Sequence, residues 1–354
     1  MNLTELGWKD CFTASFRPFA EQGYSVGRVC AELKHVYRIY SEAGEHLAQI
    51  SGRLRYDASG RGNYPAVGDW VAVSLPEEQG SRAVIHGILP RFSKFSRKAA
   101  GEVNSEQIVA TNIDTVFLVT ALNHDYNLRR LERYLTLAWE SGASPVIILS
   151  KADLCKDAPE RMAEVSSSAP GVPVHLMSSV SGQGIDQVIP YLREGSTVAL
   201  LGSSGAGKST LINRIAGKDI QRVSEVRHGD DRGRHTTTHR ELIMLPQGGL
   251  IIDTPGMREV QLWGSGEGFD DTFEDITEFA VNCRFTDCRH GSEPGCAVQN
   301  ALDSGVLDEA RFQNYLKLKK ELAYLARKEN RLEQLAEKEK WKKINKQLKE
   351  IKPR

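Results

Sequence analysis

Three features of the 354-residue sequence predict an α/β protein with a small β-barrel ahead of its α/β domain and a mainly helical, metal-binding region behind it. Apolar strands alternate with helical segments from Thr115 onward, and a Gly-rich turn, Gly202–Ser209, sits where one such strand meets a helix. Three cysteines and a histidine crowd into the fourteen residues from Cys283 to Cys296.

The 40% hydrophobic and 26% charged composition is that of a globular chain with enough apolar mass for two or three domains. No apolar run approaches the roughly 18 residues that a bilayer span needs, and Glu5, Lys9 and Asp10 interrupt the stretch where a secretion signal would be apolar. A cytoplasmic location with no membrane partner is therefore expected. In a reducing compartment the clustered cysteines point to metal rather than disulfides, while the isolated Cys11, Cys30 and Cys155 read as small buried hydrophobes.

Short β-rich runs, Arg28–Leu33, His46–Leu54, Trp70–Val73 and Arg82–Leu89, are separated by turns such as Pro65–Asp69 and predict a small antiparallel barrel. The α/β texture follows, with strands at Thr115–Thr120, Pro145–Leu149, Pro173–Met177 and Thr197–Leu201 and a helix at Leu128–Glu140. Beyond Gly264 come an acidic helix start, Phe269–Asp275, then the cysteine cluster and a long helical region with apolar residues from Leu318 to Ile351 at mostly three- or four-residue gaps. That face packs either on its own domain or on a partner helix. The expected divisions are 1–102, an N-terminal segment and the barrel; 103–264, the α/β domain; and 265–354, the metal-binding helical domain with a basic tail.

Gly202-Ser203-Ser204-Gly205-Ala206-Gly207-Lys208-Ser209 follows an apolar strand and, with Thr210, opens the helical segment up to Ala216, the setting that a P-loop requires. The glycines let backbone N–H groups turn toward phosphates, Lys208 adds a cation near the terminal phosphates, and the Ser209 hydroxyl suits magnesium. Ser150-Lys151-Ala152-Asp153, at the end of Pro145–Leu149, selects the base. A carboxylate at Asp153 accepts from guanine N1–H and the 2-amino group, whereas adenine would leave it unpaired. The usual first residue of that tetrapeptide is Asn, so Ser150 bears on affinity rather than on base choice. Ser178-Ser179 is either a third base-side element or only a turn. Asp253-Thr254-Pro255-Gly256 ends the apolar run Leu250–Ile252 and offers a carboxylate behind magnesium and a Gly256 N–H for the γ-phosphate. Among Thr236, Thr237 and Thr238, between the P-loop and Asp253, Thr237 is the candidate for reaching magnesium in a loop ordered by GTP.

Common GTPases place the P-loop first and the base-reading elements last, yet here Lys151, Asp153, Ser178 and Ser179 all precede Gly202. A circularly permuted GTPase is predicted, in which the segment after Asp253 leads straight into the C-terminal domain, so nucleotide state is expected to reposition that domain.

In this order, with a β domain before and a cysteine cluster after, these residues closely resemble the bacterial ribosome small-subunit-dependent GTPase A family over essentially the whole chain. The resemblance implies an N-terminal OB-fold that binds RNA, a permuted GTPase domain, a zinc domain, and a role with the small ribosomal subunit and its rRNA in late maturation. Bound species are then GTP or GDP with Mg2+, and the protein is expected to act as a monomer. Met257 stands where many GTPases carry a water-orienting Gln, so unaided hydrolysis is expected to be slow. His235 is the nearest replacement in sequence, and the resemblance points to it as well; the competing reading is a solvated or phosphate-contacting side chain. The catalytic set is thus His235, Lys208 and Thr237. An RNA-binding scaffold that holds GTP with little hydrolysis is the alternative that Met257 keeps open, and action on the large subunit is disfavoured by the barrel and zinc flanks together.

Cys283, Cys288, His290 and Cys296 supply three thiolates and one imidazole, a complete tetrahedral zinc set with no open position, hence one structural Zn2+ per chain. Arg82, Arg91, Lys94, Arg97 and Lys98 interleave with Phe92 and Phe95, which is either an ordinary basic edge with two core phenylalanines or a surface for RNA. Residues Tyr315–Arg354 hold 14 Lys and Arg against 6 Glu, a net +8 that balances −8 in the rest of the chain, and serve as a solvated helix face or as an arm for a polyanion.

Overall fold

The computed structural model describes residues 1–33, 36–58, 60–76, 78, 80–98, 106–217, 240–253, 266–291 and 293–327. The chain divides into two compact units, Met1–Gln261 with Glu267–Thr272 and Leu262–Gly266 with Phe273–Arg354.

In the first unit α1 (Asp10–Ala20) leads into β1 (Ser25–Leu33), β2 (Val36–Ser41), β3 (Gly44–Ile50), α2 (Gly52–Asp57), β4 (Trp70–Ser74) and β5 (Ala83–Ile88). Pairing runs β1-β2-β3-β5-β4 and β4 returns to β1, so the five strands close into an OB-fold barrel with a parallel β3–β5 pair. Closure gives each of the five strands a partner on both sides among the described residues, and the stretch of β1 beyond its pairing with β4 is left for another strand. Val29, Ile39, Ala48, Val71, Val73 and Ile85 are the inward side chains, as period-two alternation requires. The sequence run His46–Leu54 stops being strand at Ile50, because the Ser51 hydroxyl accepts the Leu54 N–H at 3.1 Å and caps α2 instead. One end of the barrel is covered by the N-terminal segment, with Phe12 buried and Trp8 edge-on to Trp70 at 4.9 Å between centroids. Of the isolated cysteines only Cys30 is buried; Cys11 is exposed and Cys155 half-buried, since neither position faces a packed interior.

A two-stranded ladder, β6 (Lys94–Lys98) with β7 (Glu106–Thr111), links barrel to sheet. Then follow β8 (Thr115–Ala121), α3 (Leu128–Glu140), β9 (Ser144–Ser150), α4 (Ala158–Ser168), β10 (Val174–Leu176), β11 (Thr197–Leu201), α5 (Lys208–Ala216), β12 (Glu241–Met244), β13 (Leu250–Asp253) and α6 (Glu267–Thr272). The order is β10-β9-β8-β11-β13-β12, parallel except for β12. The continuous burial of β8, β9 and β11 is the mark of a parallel sheet covered on both faces. Phe117, Val119, Ile148, Val198, Leu200, Leu211 and Ile251 fill one of its layers. β12 pairs with β1 through Ala31 and Glu241, so barrel and sheet are hydrogen-bonded into one.

Arg28 on β1 strengthens that join. Its buried guanidinium donates to the carbonyls of Leu6 and of Asn112 (3.1 Å) and to the Thr197 hydroxyl (2.9 Å), and it lies over the Trp70 ring. Desolvation lowers its pKa to about 10, opposed by the charges of Asp114 and Asp69, so it remains a cation at neutral pH. Asp114, ion-paired with Lys9, accepts the Thr197 N–H at 2.8 Å. The strand that carries the Gly-rich turn is thereby fixed at its base.

The acidic segment expected at Phe269–Asp275 is two helices, α6 and α7 (Glu274–Val281). Gly268 lets α6 approach α3 closely, since a Cβ there would fall 2.3 Å from the Glu140 nitrogen. The second unit contains α7, α8 (Ala297–Asp303) and helical residues 309–327. Its core is Phe273, Phe312, Tyr315 and Leu318, and Asp275 receives a two-pronged ion pair from Arg311 at 2.8 Å in each arm. Leu318 is buried and Leu322 half-buried, so this part of the apolar face packs within its own unit. The remainder of the basic tail lies outside the described residues.

Candidate functional site: a phosphate loop and a cysteine cluster

The carboxyl ends of the parallel strands share one edge, and strand order reverses between β8 and β11, with β9 on one side of β8 and β11 on the other, where α/β sheets bind their ligands. Leaving β11, Gly202 packs so tightly on β8 that a Cβ would lie 2.2 Å from the Val119 carbonyl. Gly207, at φ +93°, turns the chain into α5, a conformation that only glycine adopts without strain. The Lys208 ammonium donates to the carbonyls of Gly202 and Ser203 at 2.8 and 2.6 Å, across the mouth of the loop. Ser204 is half-buried and Gly205 exposed, with Ser209 and Thr210 half-buried on the first turn of α5.

Three further segments meet this loop or border it. Ser150, at the end of β9, is buried and its hydroxyl donates to the Ala206 carbonyl at 2.6 Å, tying the segment Ser150–Asp153 to the Gly-rich loop. Lys151 holds a left-handed conformation, φ 57° and ψ 37°, which is uncommon for a residue with a Cβ. Asp153 is exposed in the 3-10 turn Ala152–Leu154. Beyond β10, Ser178 is buried with its N–H donated to the Gln183 carbonyl at 3.0 Å, while Ser179 is half-buried. Asp253 ends β13, buried; desolvation pushes its carboxyl above the ordinary carboxylate value, against the attraction of the Lys208 charge. His235, Thr236, Thr237, Thr238, Thr254, Gly256 and Met257 lie outside the described residues.

Asp125 was not singled out in the sequence. It sits in the loop after β8, accepts from the Ser203 hydroxyl and is ion-paired with Arg130 at 2.9 Å. Its position next to the reversal in strand order is the signal that could have found it.

In the second unit the ligand atoms of Cys283, Cys288, His290 and Cys296 lie within 4.8 Å of one another. The Sγ atoms of Cys283 and Cys296 are 3.8 Å apart, and each is 3.6 Å from His290 Nδ1. Tetrahedral zinc with Zn–S near 2.3 Å and Zn–N near 2.05 Å has S···S edges of about 3.8 Å and S···N edges of about 3.6 Å, so the donors fit that ion. His290, at φ 59°, is held by Gln299, whose amide donates to the His290 carbonyl at 2.6 Å. Burial and the Lys319 charge lower the imidazole pKa, favouring the neutral form that binds metal.

On the barrel side, the basic edge resolves toward the bland reading at two positions. Arg91 is spent on buried Asp69 at 2.7 and 2.6 Å, and Phe95 is in the core. Phe92 stays partly exposed beneath the Lys9 ammonium, 4.1 Å from its centroid.

The Gly-rich loop after β11, the Ser150–Asp153 turn after β9 and buried Asp253 after β13 lie at one sheet edge, but the chain supplies them in rotated order; this defines a circularly permuted P-loop GTPase, an enzyme that hydrolyses GTP. The chain belongs to the RsgA GTPase family, whose model matches residues 88–263. A second model, described as 50S ribosome-binding GTPase, matches residues 197–352. The chain is 50% identical over 352 residues to the small ribosomal subunit biogenesis GTPase RsgA of Opitutus terrae, covering 97% of this chain and 96% of the relative. It is 47% identical over 314 residues to RsgA 2 of Lactiplantibacillus plantarum, with 89% and 88% covered. Among solved structures it is similar to YjeQ from Thermotoga maritima, at 26% identity and TM-score 0.63 over 84% of this chain and 99% of that one. The fold is also that of YloQ, a circularly permuted GTPase, at TM-score 0.61 and 24% identity over 85% and 96%. Among the described residues no helix is long and apolar enough to cross a membrane.

Proposed function

We propose that this enzyme acts in maturation of the small ribosomal subunit, binding the subunit and its rRNA while loaded with GTP and leaving after hydrolysis. The observation that carries the nucleotide half is the Ser150 bond to Ala206, which sets base-reading and phosphate-binding segments at a fixed separation. The subunit half is supported by relatives that align over 97% and 89% of this chain and are described as small ribosomal subunit biogenesis GTPases. The 50S description belongs to a model that starts at β11 and leaves out the barrel.

In this reading Asp153 reads guanine N1–H and the 2-amino group, and the Ser179 N–H meets the guanine carbonyl because that of Ser178 is already used. Loop N–H groups from Gly202 to Ser209 hold the phosphates, and Lys208 exchanges its loop carbonyls for the terminal phosphates. Ser209, Thr237 and Asp253 serve magnesium, and Gly256 the γ-phosphate. Magnesium held there would supply electrostatic stabilisation of the charge on the transferring group, and the chain itself contributes position and further electrostatic stabilisation. His235 stands in for the Gln that Met257 replaces. One structural zinc on Cys283, Cys288, His290 and Cys296 orders the loop between α7 and α8. The functional divisions are 1–102, 103–264 and 265–354, working as a monomer in the cytoplasm.

Single-turnover hydrolysis measured alone, with small subunits and with large subunits tests this. Strong stimulation by small subunits, falling steeply as salt is added, is expected. Equal stimulation by both subunits, or none by either, overturns it. His235→Ala should remove most of the stimulated rate while GTP-dependent subunit binding survives; joint loss makes His235 a structural part of the loop.

A further inference from the structure

The barrel carries a cavity that neither the phosphate loop nor the cysteine cluster uses. Its volume is about 450 Å³, within the roughly 300–1,000 Å³ of small-ligand sites. It opens where β1, β2, β3, α2, the 3-10 turn Arg61–Asn63 and β7 converge. Two tyrosines line it, Tyr37 buried and Tyr64 half-buried, together with Arg55, Arg61, Glu32 and Gln107. Arg55 and Arg61 are exposed. Glu32 is exposed as well, and the charges of Arg240 and Arg61 act on its carboxyl.

This lining is selective in chemical terms. Phenol rings offer flat apolar surface for stacking, and two guanidinium groups suit phosphate. The carboxylate of Glu32 only accepts hydrogen bonds, so it discriminates among bases. Guanine presents two adjacent donors, N1–H and the 2-amino group. Uracil presents one donor between two carbonyls that repel a carboxylate, and adenine and cytosine each place a ring-nitrogen acceptor beside their amino group.

We propose that this cavity holds one unstacked guanine nucleotide of a single-stranded RNA segment, its base edge on Glu32, its ring against Tyr64 and its phosphates on Arg55 and Arg61. The inference rests on the RNA-binding reading above and adds a base preference and a place for it. An RNA strand is the source rather than free nucleotide, because two arginines on different elements, α2 and the 3-10 turn, beside one base pocket suit the phosphates on either side of a nucleotide within a chain.

The test uses the full chain with its GTPase site saturated by a non-hydrolysable GTP analogue. Affinity is measured for a short uridine-rich RNA carrying one central guanosine, for the same RNA with inosine, which lacks the 2-amino group, for the all-uridine strand, and for GMP. The guanosine strand should bind about tenfold more tightly than either other strand. Glu32→Gln should erase that preference and leave subunit-free GTP turnover unchanged; if this variant fails to fold, Glu32→Asp should retain a reduced preference. The double variant Arg55→Ala with Arg61→Ala should weaken all strands and flatten the salt slope by about 1.4, at ~0.7 for each lost phosphate contact. A wild-type protein that binds all strands alike, or a guanosine preference that survives Glu32→Gln, overturns the inference while leaving RNA binding in place. GMP binding as tight as the guanosine strand overturns the RNA source. Failure to bind any strand overturns the parent reading as well.

Discussion

The cysteine cluster and the phosphate site are built on opposite plans. The four side chains of the cluster come from fourteen consecutive residues and need only a turn, a left-handed His290 and the cap of α8 to converge. The nucleotide site draws Ser150, Ser178, Gly202–Lys208 and Asp253 from four strand ends, and a sheet must form before any two of them meet. A local site should fail all at once, whereas a dispersed one should lose function contact by contact.

The largest expected effect therefore falls on the local site. Cys288→Ala, or chelation of the wild type, should release the zinc and unfold the loop between α7 and α8, since binding free energies of about 10–16 kcal/mol are folding free energy in such sites. Metal analysis together with a melting curve checks this, with GTP affinity retained; about one zinc per chain remaining in the variant would count against the ligand set. Lys208→Ala comes next and should lower hydrolysis by about 10²–10³-fold while the protein stays folded, read by multiple-turnover rates and circular dichroism. A variant with more than a tenth of wild-type activity would remove Lys208 from the site.

Asp153→Asn should weaken GTP by about 10²-fold and improve xanthosine triphosphate, because an amide donates to the carbonyl that xanthine carries at position 2. Competition binding with the two nucleotides settles it, and unchanged GTP affinity breaks the base assignment. Ser150→Ala removes the hydroxyl bond to Ala206 and should cost about 1 kcal/mol, near fivefold in GTP affinity, with base choice preserved. The smallest effect has the opposite sign. Burial raises the Asp253 carboxyl above its ordinary value, so its contribution to stability is full below that value and is lost as pH rises through the raised one. At neutral pH Asp253→Asn should thus raise the melting temperature of the nucleotide-free chain while abolishing magnesium-dependent hydrolysis; a lower melting temperature at neutral pH would contradict the desolvation account.

Sequence legibility followed the same division. The cluster was readable from spacing, and the phosphate loop from glycines placed between an apolar strand and a helix. His46–Leu54 misled because Leu47, Ala48, Ile50 and Leu54 give it an apolar, strand-like texture that masks the Ser51 cap, and β2 was passed over though its residues alternate. Arg28, Asp114 and Asp125 could not be ranked among many charged residues, because their importance arises from partners far along the chain: Thr197 for the first two and Ser203 for the third. The basic edge showed the converse, since Arg91 looked available for RNA until Asp69 was seen to occupy it.

The ladder between β1 and β12 has a consequence for how the protein is made. During synthesis Ala31 emerges long before its partner Glu241, and β11 emerges before β13, its neighbour in the sheet. The barrel can close early from its own strands, but the outer edge of β1 must wait, unpaired, while the chain through β11 is translated. A nascent chain therefore acquires Ser150–Asp153 first and cannot bring Asp253 beside the Gly-rich loop until β13 has left the exit tunnel. Long-range pairing of this kind slows folding and prolongs, on the nascent chain, the exposure of the stretch of β1 that β12 covers in the finished enzyme.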